Sequence, residues 1–319
     1  MLKLEPTKQN IFEAHKLVKR HVHHTPMMSS KSINALLGCK IFFKCENFQK
    51  VGAFKFRGAV NAIFSLNKTE VARGVATHSS GNHAAALSLA AKMRNIPAYI
   101  VMPRTAPQNK KAAVEGYGGK IFYCEPTLQA REEMLNDIVE KTGAVFVHPY
   151  DNYSIIAGQA TVAKEIYEEL GALDYIIAPV GGGGLLSGTC LSTRFFSPIT
   201  EVIGAEPKGA DDAFRSLRDA MIHPSVNPQT VCDGLLTQLC DKTFSIISKN
   251  VSEIFTAEEG SIILAMRMIW ERMKIIVEPS AAVALAVILE NKDKFAGKSV
   301  GIILTGGNVD LGNLPWIEK

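Results

Sequence analysis

The segment from Asn47 to Ala59 reads NFQKVGAFKFRGA and is the most informative part of the chain. Apolar residues continue through and beyond it at helical spacing, at Phe56, Ala59, Val60, Ile63 and Phe64. This spacing places Lys55 near the start of an amphipathic helix, where the positive helix end and apolar neighbours favour a neutral amine. A neutral amine can attack a carbonyl carbon, so Lys55 is a candidate nucleophile. A surface lysine lying along apolar neighbours is the alternative explanation.

The composition is that of a globular protein, with 319 residues, 47% of them hydrophobic and 21% charged. This length is enough for two domains or for one large domain. The formal net charge of +4 is small, and no basic run carries interleaved aromatic residues, so we expect no nucleic-acid partner. The six cysteines form no CxxC pair, which is typical of reduced thiols in a cytoplasmic protein. We expect no membrane segment, because no apolar run is long enough to span a bilayer.

Strand and helix patterns alternate along most of the chain, as in βαβ units with parallel sheets. A short strand at 41–45 leads into the Lys55 segment. In the next run we predict strands at 74–77, 98–102, 120–124 and 145–148, and helices at 84–93, 108–117 and 127–142. In the last run we predict strands at 175–179, 202–205 and 299–304, and helices at 158–170, 185–196, 257–273 and 279–290. The part between about 206 and 250 is less regular. The pattern predicts two α/β lobes.

Four glycines, Gly181–Gly184, follow an apolar strand and open a helix, where backbone N–H groups can surround an anion. No Gly-Lys-Ser/Thr follows, so this is not a Walker loop. Ser187 stands where a dinucleotide fingerprint has its third glycine, although Glu206 ends the next strand at about the place of a ribose-binding acid. A small phosphate fits the glycines at least as well as a dinucleotide. A tight packing turn is the third explanation.

Two further segments carry polar groups at the ends of predicted strands. Ser79-Ser80-Gly81-Asn82-His83 precedes a helix, so it could hold a carboxylate or simply cap the helix. Glu206 and Asp212, separated by a Pro/Gly turn, could bind a hard cation together with a carbonyl, or form a solvated acidic loop.

The last strand ends in Thr305-Gly306-Gly307-Asn308, and ligands of such sheets bind at the carboxyl ends of strands. A reactive lysine, a phosphate cradle and a hydroxyl at strand ends together indicate pyridoxal 5′-phosphate. This cofactor needs a Schiff-base lysine, a phosphate site and a partner for its ring nitrogen.

Several motifs in one order resemble the fold-type II pyridoxal-phosphate enzymes of the serine racemase and serine/threonine dehydratase family. They are KCENFQK at 44–50, AFKFRG at 53–58, THSSGNH at 77–83, VGGGGL at 180–185, AEP at 205–207, ADD at 210–212, VEP at 277–279 and GGNVD at 306–310. The resemblance covers nearly the whole chain and is strongest to serine racemases at 77–83 and 205–212. It implies a fold like the tryptophan synthase β chain, with two open parallel-sheet α/β domains and the cofactor between them. The large cofactor domain would comprise 1–69 and 150–319, and the small substrate-clamping domain 70–149.

The resemblance also implies a role for each site residue. Lys55 would carry the Schiff base and act as base on one face of the substrate Cα, with Ser80 as the acid/base on the opposite face. The implied substrate-binding residues are Ser79, Ser80, Gly81, Asn82, His83 and Arg131. The implied cofactor-binding residues are Phe54, Lys55, Asn82, Gly181, Gly182, Gly183, Gly184, Leu185, Glu278 and Thr305. Mg²⁺, or Mn²⁺ or Ca²⁺ in its place, would be bound by Glu206, the Ala210 carbonyl and Asp212.

Lys50 and Tyr117 match family positions near a nucleotide effector site between subunits, which implies a homodimer with ATP as an effector. Two residues depart from the family pattern. Thr305 stands where serine is usual, which keeps a neutral hydroxyl for the ring nitrogen and implies a milder electron sink than a carboxylate would support. Ala85 replaces a common glutamine, which changes hydrogen bonding around the effector and active sites.

The function implied by the resemblance is interconversion of L- and D-serine, with β-elimination of serine or threonine to a 2-oxo acid and ammonia. A small-molecule amino acid is the expected partner. A dedicated threonine/serine dehydratase and a 3-hydroxyaspartate dehydratase are the nearest alternatives, because racemisation and elimination share one carbanion. A β-replacement synthase, a non-catalytic pyridoxal-phosphate-binding protein and a nicotinamide dehydrogenase are more distant alternatives.

Overall fold

The computed structural model describes residues 1–79 and 81–316, in which helices and strands alternate along most of the chain. The helices are α1 (Lys8–Val18), α2 (Lys31–Leu37), α3 (Lys55–Phe64), α4 (Lys68–Arg73), α5 (Asn82–Met93), α6 (Gln108–Gly116), α7 (Leu128–Thr142), α8 (Tyr153–Leu170), α9 (Gly184–Phe196), α10 (Asp212–Arg218), α11 (Asp241–Asn250), α12 (Glu259–Met273), α13 (Pro279–Glu290) and α14 (Lys292–Phe295). The strands are β1 (Met27–Met28), β2 (Lys40–Cys45), β3 (Val75–His78), β4 (Ala98–Pro103), β5 (Lys120–Cys124), β6 (Val145–Phe146), β7 (Tyr175–Pro179), β8 (Glu201–Pro207), β9 (Glu253–Ala257) and β10 (Ser299–Leu304).

The larger sheet has six strands in the order β1-β2-β10-β7-β8-β9. β1 runs antiparallel to β2, and the other neighbouring strands are parallel. Its central strands β7 and β10 are apolar along almost their whole length, as expected of a parallel sheet with both faces covered. α12 and α13 contribute to the hydrophobic core on one face, and α8 and α9 to the core on the other.

The smaller sheet has four parallel strands in the order β5-β4-β3-β6. α5 and α6 pack with it in one core, and α7 packs in a second core with the other face. Phe56, Ala59 and Val60 of α3 belong to the same core as α5, and α3 also packs against α8 of the larger lobe. The helix that begins at Lys55 therefore lies where the two lobes meet.

The predicted α/β class with two parallel sheets is confirmed. All four strands of the smaller sheet fall within the predicted small domain of residues 70–149, while the domain boundaries themselves stay predictions. The less regular region expected between about 206 and 250 is confirmed for residues 219–240, which carry no helix or strand, whereas the helices α10 and α11 at its two ends were not predicted. Strand β9 was also missed. It is an edge strand that fully buries only Ile254 and Ala257, so it lacks the apolar run by which a central strand is found.

Two element ends differ from the sequence prediction for local reasons. The strand predicted at 145–148 ends at Phe146, because the His148 ring accepts hydrogen bonds from the backbone amides of Tyr150 and Asp151 and turns the chain. α8 begins at Tyr153 rather than at Gly158, because the Asn152 side chain caps it. Among the helices that the structure describes, none is long and apolar enough to cross a membrane.

Candidate active site

A cavity of about 230 Å³ lies between the lobes, next to the carboxyl ends of β3, β7 and β10. Ligands of open α/β sheets bind at such strand ends. The predicted site residues that line it are Phe54, Lys55, Ser79, Gly81, Asn82, His83, Arg131, Gly181, Gly182, Gly183, Gly184, Leu185, Glu278 and Thr305. Ser80 lies outside the described residues. The proposed cation ligands Glu206, Ala210 and Asp212 are not part of the lining and form a separate place in the fold.

Lys55 is held at the cavity by contacts on both sides of it in the chain. The Phe54 N–H donates to the Thr305 carbonyl at 3.0 Å, and Ala53 forms a β-bridge with Gly306, so the start of α3 is attached to the end of β10. The Lys55 Nζ donates to the Pro149 carbonyl at 3.1 Å. Desolvation by burial lowers the pKa of Lys55 to about 8. Near neutral pH, the uncharged and nucleophilic fraction of this amine is therefore much larger than that of an exposed lysine.

The lowered pKa of Lys55 predicts its reactivity in cofactor-free protein. We expect its acetylation by a pulse of acetic anhydride to be half-maximal near pH 8, because only the neutral amine reacts. Ordinary exposed lysines have a pKa of about 10.4, so their labelling should rise at higher pH. Peptide mass spectrometry would follow Lys55 beside Lys141, whose side chain is 70% exposed. The same midpoint for both lysines would contradict the desolvated environment.

Tyr150 is a cavity residue that the sequence interpretation missed. Its ring centroid lies 5.9 Å from the Lys55 Nζ, and the Phe54 ring flanks the same amine at 5.3 Å. The Tyr150 ring also packs on the glycine loop, where a Cβ on Gly182 would come within 2.4 Å of it. Tyr150 follows β6 by a few residues, so the rule that ligands bind at strand ends could have indicated it.

The four glycines form a tight turn into α9. Gly183 adopts φ +83° as the N-cap, and a Cβ there would come within 2.6 Å of Leu239. A Cβ on Gly181 would approach the Leu235 backbone to 2.9 Å. The glycines are thus needed for packing, and they also leave the N-terminus of a 13-residue helix facing the cavity. This end of the helix suits a phosphate.

Asn82 and Glu278 line another wall of the cavity, and Asn308 contacts Asn82. Asn82 Nδ2 donates to Glu278 Oε1 at 2.9 Å, and Asn308 Nδ2 donates to Asn82 Oδ1 at 2.9 Å. Burial raises the pKa of Glu278 to about 8, and Asp233 contributes in the same direction. Thr305, only 4% exposed, also lines this cavity. Residues from three distant segments therefore surround one space.

Histidine and arginine side chains from the small lobe complete the described wall. His83 Nε2 lies 3.3 Å from the Val147 carbonyl, and burial holds the pKa of His83 well below its usual range. His78 also has a lowered pKa, because burial disfavours its charged form. The Arg131 Nε is buried and finds no hydrogen-bond partner among the described residues. A ligand carboxylate would satisfy that donor.

The predicted cation ligands lie between the end of β8 and the start of α10. Glu206 is fully buried and accepts hydrogen bonds from the Ala213 and Phe214 amides at 2.9 and 2.8 Å. Burial raises the pKa of Asp212 to about 6, and its Oδ2 atom has no hydrogen-bond partner within the described chain. Across residues 1–79 and 81–316, no group of three or more His, Cys, Asp or Glu side chains could hold a metal ion. A cation at the predicted site would therefore be bound by the carboxylates of Glu206 and Asp212 and by the Ala210 carbonyl.

Lys50 and Tyr117, which were predicted to lie near a nucleotide effector, contact other residues of this chain. The Lys50 Nζ donates to the His21 carbonyl and lies 5.9 Å from the Phe56 ring centroid. Tyr117 follows α6 and packs against the core that contains Val51.

A buried ionic network lies directly beside the Lys55 segment and was not anticipated from the sequence. Arg57, fully buried, donates two hydrogen bonds to Glu46, both 2.8 Å long, and two to Glu165, at 2.7 and 2.8 Å. The Lys44 Nζ also pairs with Glu165 at 2.7 Å. This network joins β2, α3 and α8 beneath the candidate nucleophile.

Comparisons with known proteins give a consistent assignment. Residues 18–306 match the model of the pyridoxal-phosphate dependent enzyme family. A β-hydroxyaspartate dehydratase from Paracoccus denitrificans is 52% identical over 98% of this chain and 99% of its own. A serine racemase from Dictyostelium discoideum is 49% identical over 98% of this chain and 97% of its own. The solved structure of maize serine racemase has a TM-score of 0.95 at 44% identity, over 97% of this chain and 95% of its own. The fold-type II class expected from the motifs is confirmed.

Proposed function

The chain belongs to the pyridoxal-phosphate-dependent enzyme family, and on that premise we propose that it is a serine racemase with an accompanying elimination activity. It interconverts L- and D-serine, and it converts serine or threonine to a 2-oxo acid and ammonia. The observation that carries this proposal is the desolvated Lys55 amine, which faces a cavity whose other walls carry the glycine loop and Thr305. The similarity to serine racemases over nearly the whole chain supports it.

The residues around the cavity fit pyridoxal 5′-phosphate. The amides of Gly181–Gly184 at the start of α9 would hold its phosphate, Lys55 its aldehyde carbon, and the Thr305 hydroxyl its ring nitrogen. Asn82 and Glu278 would lie beside the ring, and Tyr150 would cover the glycine loop. When bound, the cofactor supplies an electron sink that stabilises negative charge at the substrate Cα.

The proposed chemistry uses two proton-transfer groups. The loop of residues 79–83 and Arg131 bind and orient the substrate carboxylate. The Lys55 amine takes the Cα proton, and the Pro149 carbonyl, 3.1 Å from Nζ in this structure, can hold the resulting ammonium. Ser80 gives a proton to the opposite face of Cα, which inverts the centre. If the β-hydroxyl of serine leaves as water instead, the unsaturated amino acid that remains is hydrolysed to pyruvate and ammonia.

The proposal is tested by following D-serine and pyruvate together from L-serine with cofactor-loaded enzyme. We expect both products from the unaltered enzyme. In Ser80→Ala, racemisation should fall about 10²-fold or more while elimination persists, because only inversion needs a proton from the second face. Pyruvate without D-serine from the unaltered enzyme would instead establish a dehydratase. Unchanged racemisation in Ser80→Ala would contradict the two-base mechanism.

Dehydration of 3-hydroxyaspartate is the second candidate function. Two cations of the described cavity lining, Arg131 and Lys110, favour it, because a dicarboxylate offers one carboxylate to each. The 52% identity to a β-hydroxyaspartate dehydratase supports the same candidate. The ratio of kcat/KM for L-threo-3-hydroxyaspartate to that for L-serine separates the two functions. A preference of about 100-fold or more, equal to nearly 3 kcal/mol of transition-state binding, would favour this second function.

We also propose that Glu206, Asp212 and the Ala210 carbonyl bind Mg²⁺, or Mn²⁺ or Ca²⁺. The buried, unpartnered Asp212 Oδ2 among the described atoms fits a hard cation. We expect saturating Mg²⁺ to raise Tm by several degrees, because binding at 100 times Kd stabilises the folded state by about 2.7 kcal/mol. Differential scanning calorimetry would measure the shift. The Tm shift should vanish in Asp212→Asn. It should persist in Asp211→Asn, because the Asp211 carboxylate pairs with Arg215 and is not a proposed ligand. Equal shifts in both variants would contradict this ligand set.

Three further expectations remain proposals. We propose that the enzyme is a homodimer in the cytoplasm and that ATP acts near Lys50 and Tyr117. Sedimentation equilibrium would test the dimer. Equilibrium dialysis with ATP, repeated on Lys50→Gln, would test the effector position.

A further inference from the structure

An ion pair closes one side of the cavity. Lys110 on α6 of the smaller lobe pairs with Asp233, which lies between α10 and α11 of the larger lobe. Both residues line the cavity. The pair therefore bridges the two lobes at one wall of the cavity.

The Lys110 ammonium also lies directly beside the proposed carboxylate-binding loop. Its Nζ is 3.8 Å from the point that a Cβ on Gly81 would occupy. Gly81 belongs to the loop of residues 79–83, which we assign to the substrate α-carboxylate. An ammonium so near this loop is within reach of a second carboxylate on the same substrate.

Besides its histidines, the described lining of the cavity carries three basic side chains and two acidic ones, Asp233 and Glu278. Lys55, Lys110 and Arg131 supply cations to the described lining, whereas His78 and His83 are held neutral by burial. In the proposed function, Lys55 takes the proton from the substrate Cα and Arg131 helps to bind the α-carboxylate. A second carboxylate on the substrate could therefore replace Asp233 as the partner of Lys110.

The two members of the ion pair differ in their exposure. The Lys110 side chain is 20% exposed and the Asp233 side chain is 49% exposed. A half-exposed carboxylate regains water readily when it loses its partner, so such a pair contributes little to stability. A mostly buried ammonium is costly without an anion beside it. Replacing the Asp233 carboxylate by a substrate carboxylate at Lys110 should therefore cost little free energy. Leaving the Lys110 ammonium without any anion should cost more.

We propose that Lys110 exchanges Asp233 for the β-carboxylate of a dicarboxylic 3-hydroxy amino acid, and that this ion pair sets whether the enzyme accepts dicarboxylates. With serine bound, Lys110 stays paired with Asp233. With a dicarboxylate bound, Asp233 turns to solvent and Lys110 binds the substrate. The inference rests on the proposed function, since it assumes that the loop of residues 79–83 binds the α-carboxylate.

Equilibrium binding of succinate and butyrate to cofactor-loaded enzyme tests the exchange. These acids have equal chain length and differ by one carboxylate, and isothermal titration calorimetry measures both Kd values without turnover. Lys110→Gln should weaken succinate binding about 10- to 100-fold and change butyrate binding less than about 2-fold, because it removes one charge-assisted hydrogen bond. Asp233→Asn should tighten succinate binding about 2- to 5-fold, because the competing carboxylate is gone.

Two variants serve as controls. Lys111→Gln removes the same charge from the next position of α6, where the Nζ donates to the Arg104 carbonyl, and it should leave both Kd values unchanged. Lys110→Arg keeps the charge and should retain the preference for succinate. Equal weakening of both acids in Lys110→Gln, or weaker succinate binding in Asp233→Asn, would overturn the proposal. A misfolded variant would bind succinate more weakly, so tighter succinate binding by Asp233→Asn cannot be caused by misfolding.

The proposed function and the exchange fail in distinguishable ways. If the unaltered enzyme makes no D-serine but the succinate results hold, the racemase assignment is wrong and the exchange stands. If D-serine forms but Lys110→Gln binds succinate like the unaltered enzyme, the exchange is wrong and the racemase stands.

Discussion

Replacing Lys55 with alanine is expected to abolish both racemisation and elimination. The amine is the proposed attachment point of the cofactor and the proposed base at Cα, so one substitution removes covalent and acid–base catalysis together. We expect at least about a 10⁴-fold loss in kcat/KM, the upper end of what one acid–base group contributes. The visible absorbance of the lysine-linked cofactor should disappear as well. Coupled assays for D-serine and pyruvate, with absorbance spectra of the same samples, measure both effects.

Stability measurements separate this loss from misfolding. Burial lowers the pKa of Lys55 to about 8, so at pH 7 the folded state holds an ammonium that it solvates poorly. Removing that group should therefore not lower the free energy of unfolding. Lys55→Arg, which keeps a charge but offers no nucleophilic amine, should also be inactive. Substantial turnover in either variant would show that another group performs the proton transfer.

Replacing Arg57 with methionine is expected to lower the free energy of unfolding by about 3–5 kcal/mol, as when one partner of a buried ion pair is removed. The variant leaves the fully buried Glu46 with the Thr25 hydroxyl as its remaining described side-chain partner. Glu165 keeps Lys44 and is less affected. Denaturant unfolding at pH 7 measures the loss.

Arg267→Met is the matched control, because it also removes an arginine from an ion pair. The Arg267 and Glu271 side chains are 50% and 61% exposed, so their pair should contribute less than about 1 kcal/mol. A loss for Arg57→Met no larger than that for Arg267→Met would refute the role assigned to the network.

The pH dependence adds a second test of the network. Burial alone would raise the pKa of Glu165, but hydrogen bonds from His15 and Arg57 hold it well below its usual range. A carboxylate with a depressed pKa in the folded state contributes stability above its unfolded pKa of about 4.3, and this contribution is lost as the pH falls. The difference in the free energy of unfolding between the unaltered protein and Arg57→Met should therefore shrink as the pH falls from about 5 towards 2. A difference that is constant over this range would mean that the carboxylates do not cause it.

Local patterns were sufficient to predict much of the fold and of the candidate site. Lys55 begins α3 as the apolar spacing indicated, and Gly181–Gly184 turn from β7 into α9. These features depend on residues close together in the chain, because helix starts, tight turns and apolar strands are set by neighbouring side chains. The edge strand β9 escaped prediction because a half-exposed strand has a weak pattern.

The sequence by itself determined the two parallel sheets, the helix that begins at Lys55 and the glycine turn, since each depends on local hydrophobic period and backbone conformation. Only the tertiary structure decided which side chains share a site. Lys55 meets the Pro149 carbonyl across 94 residues, Arg57 meets Glu165 across 108, and Lys110 meets Asp233 across 123. The periodicity of a chain carries no information on such pairs, because they form only when folding brings distant strand ends and helices together.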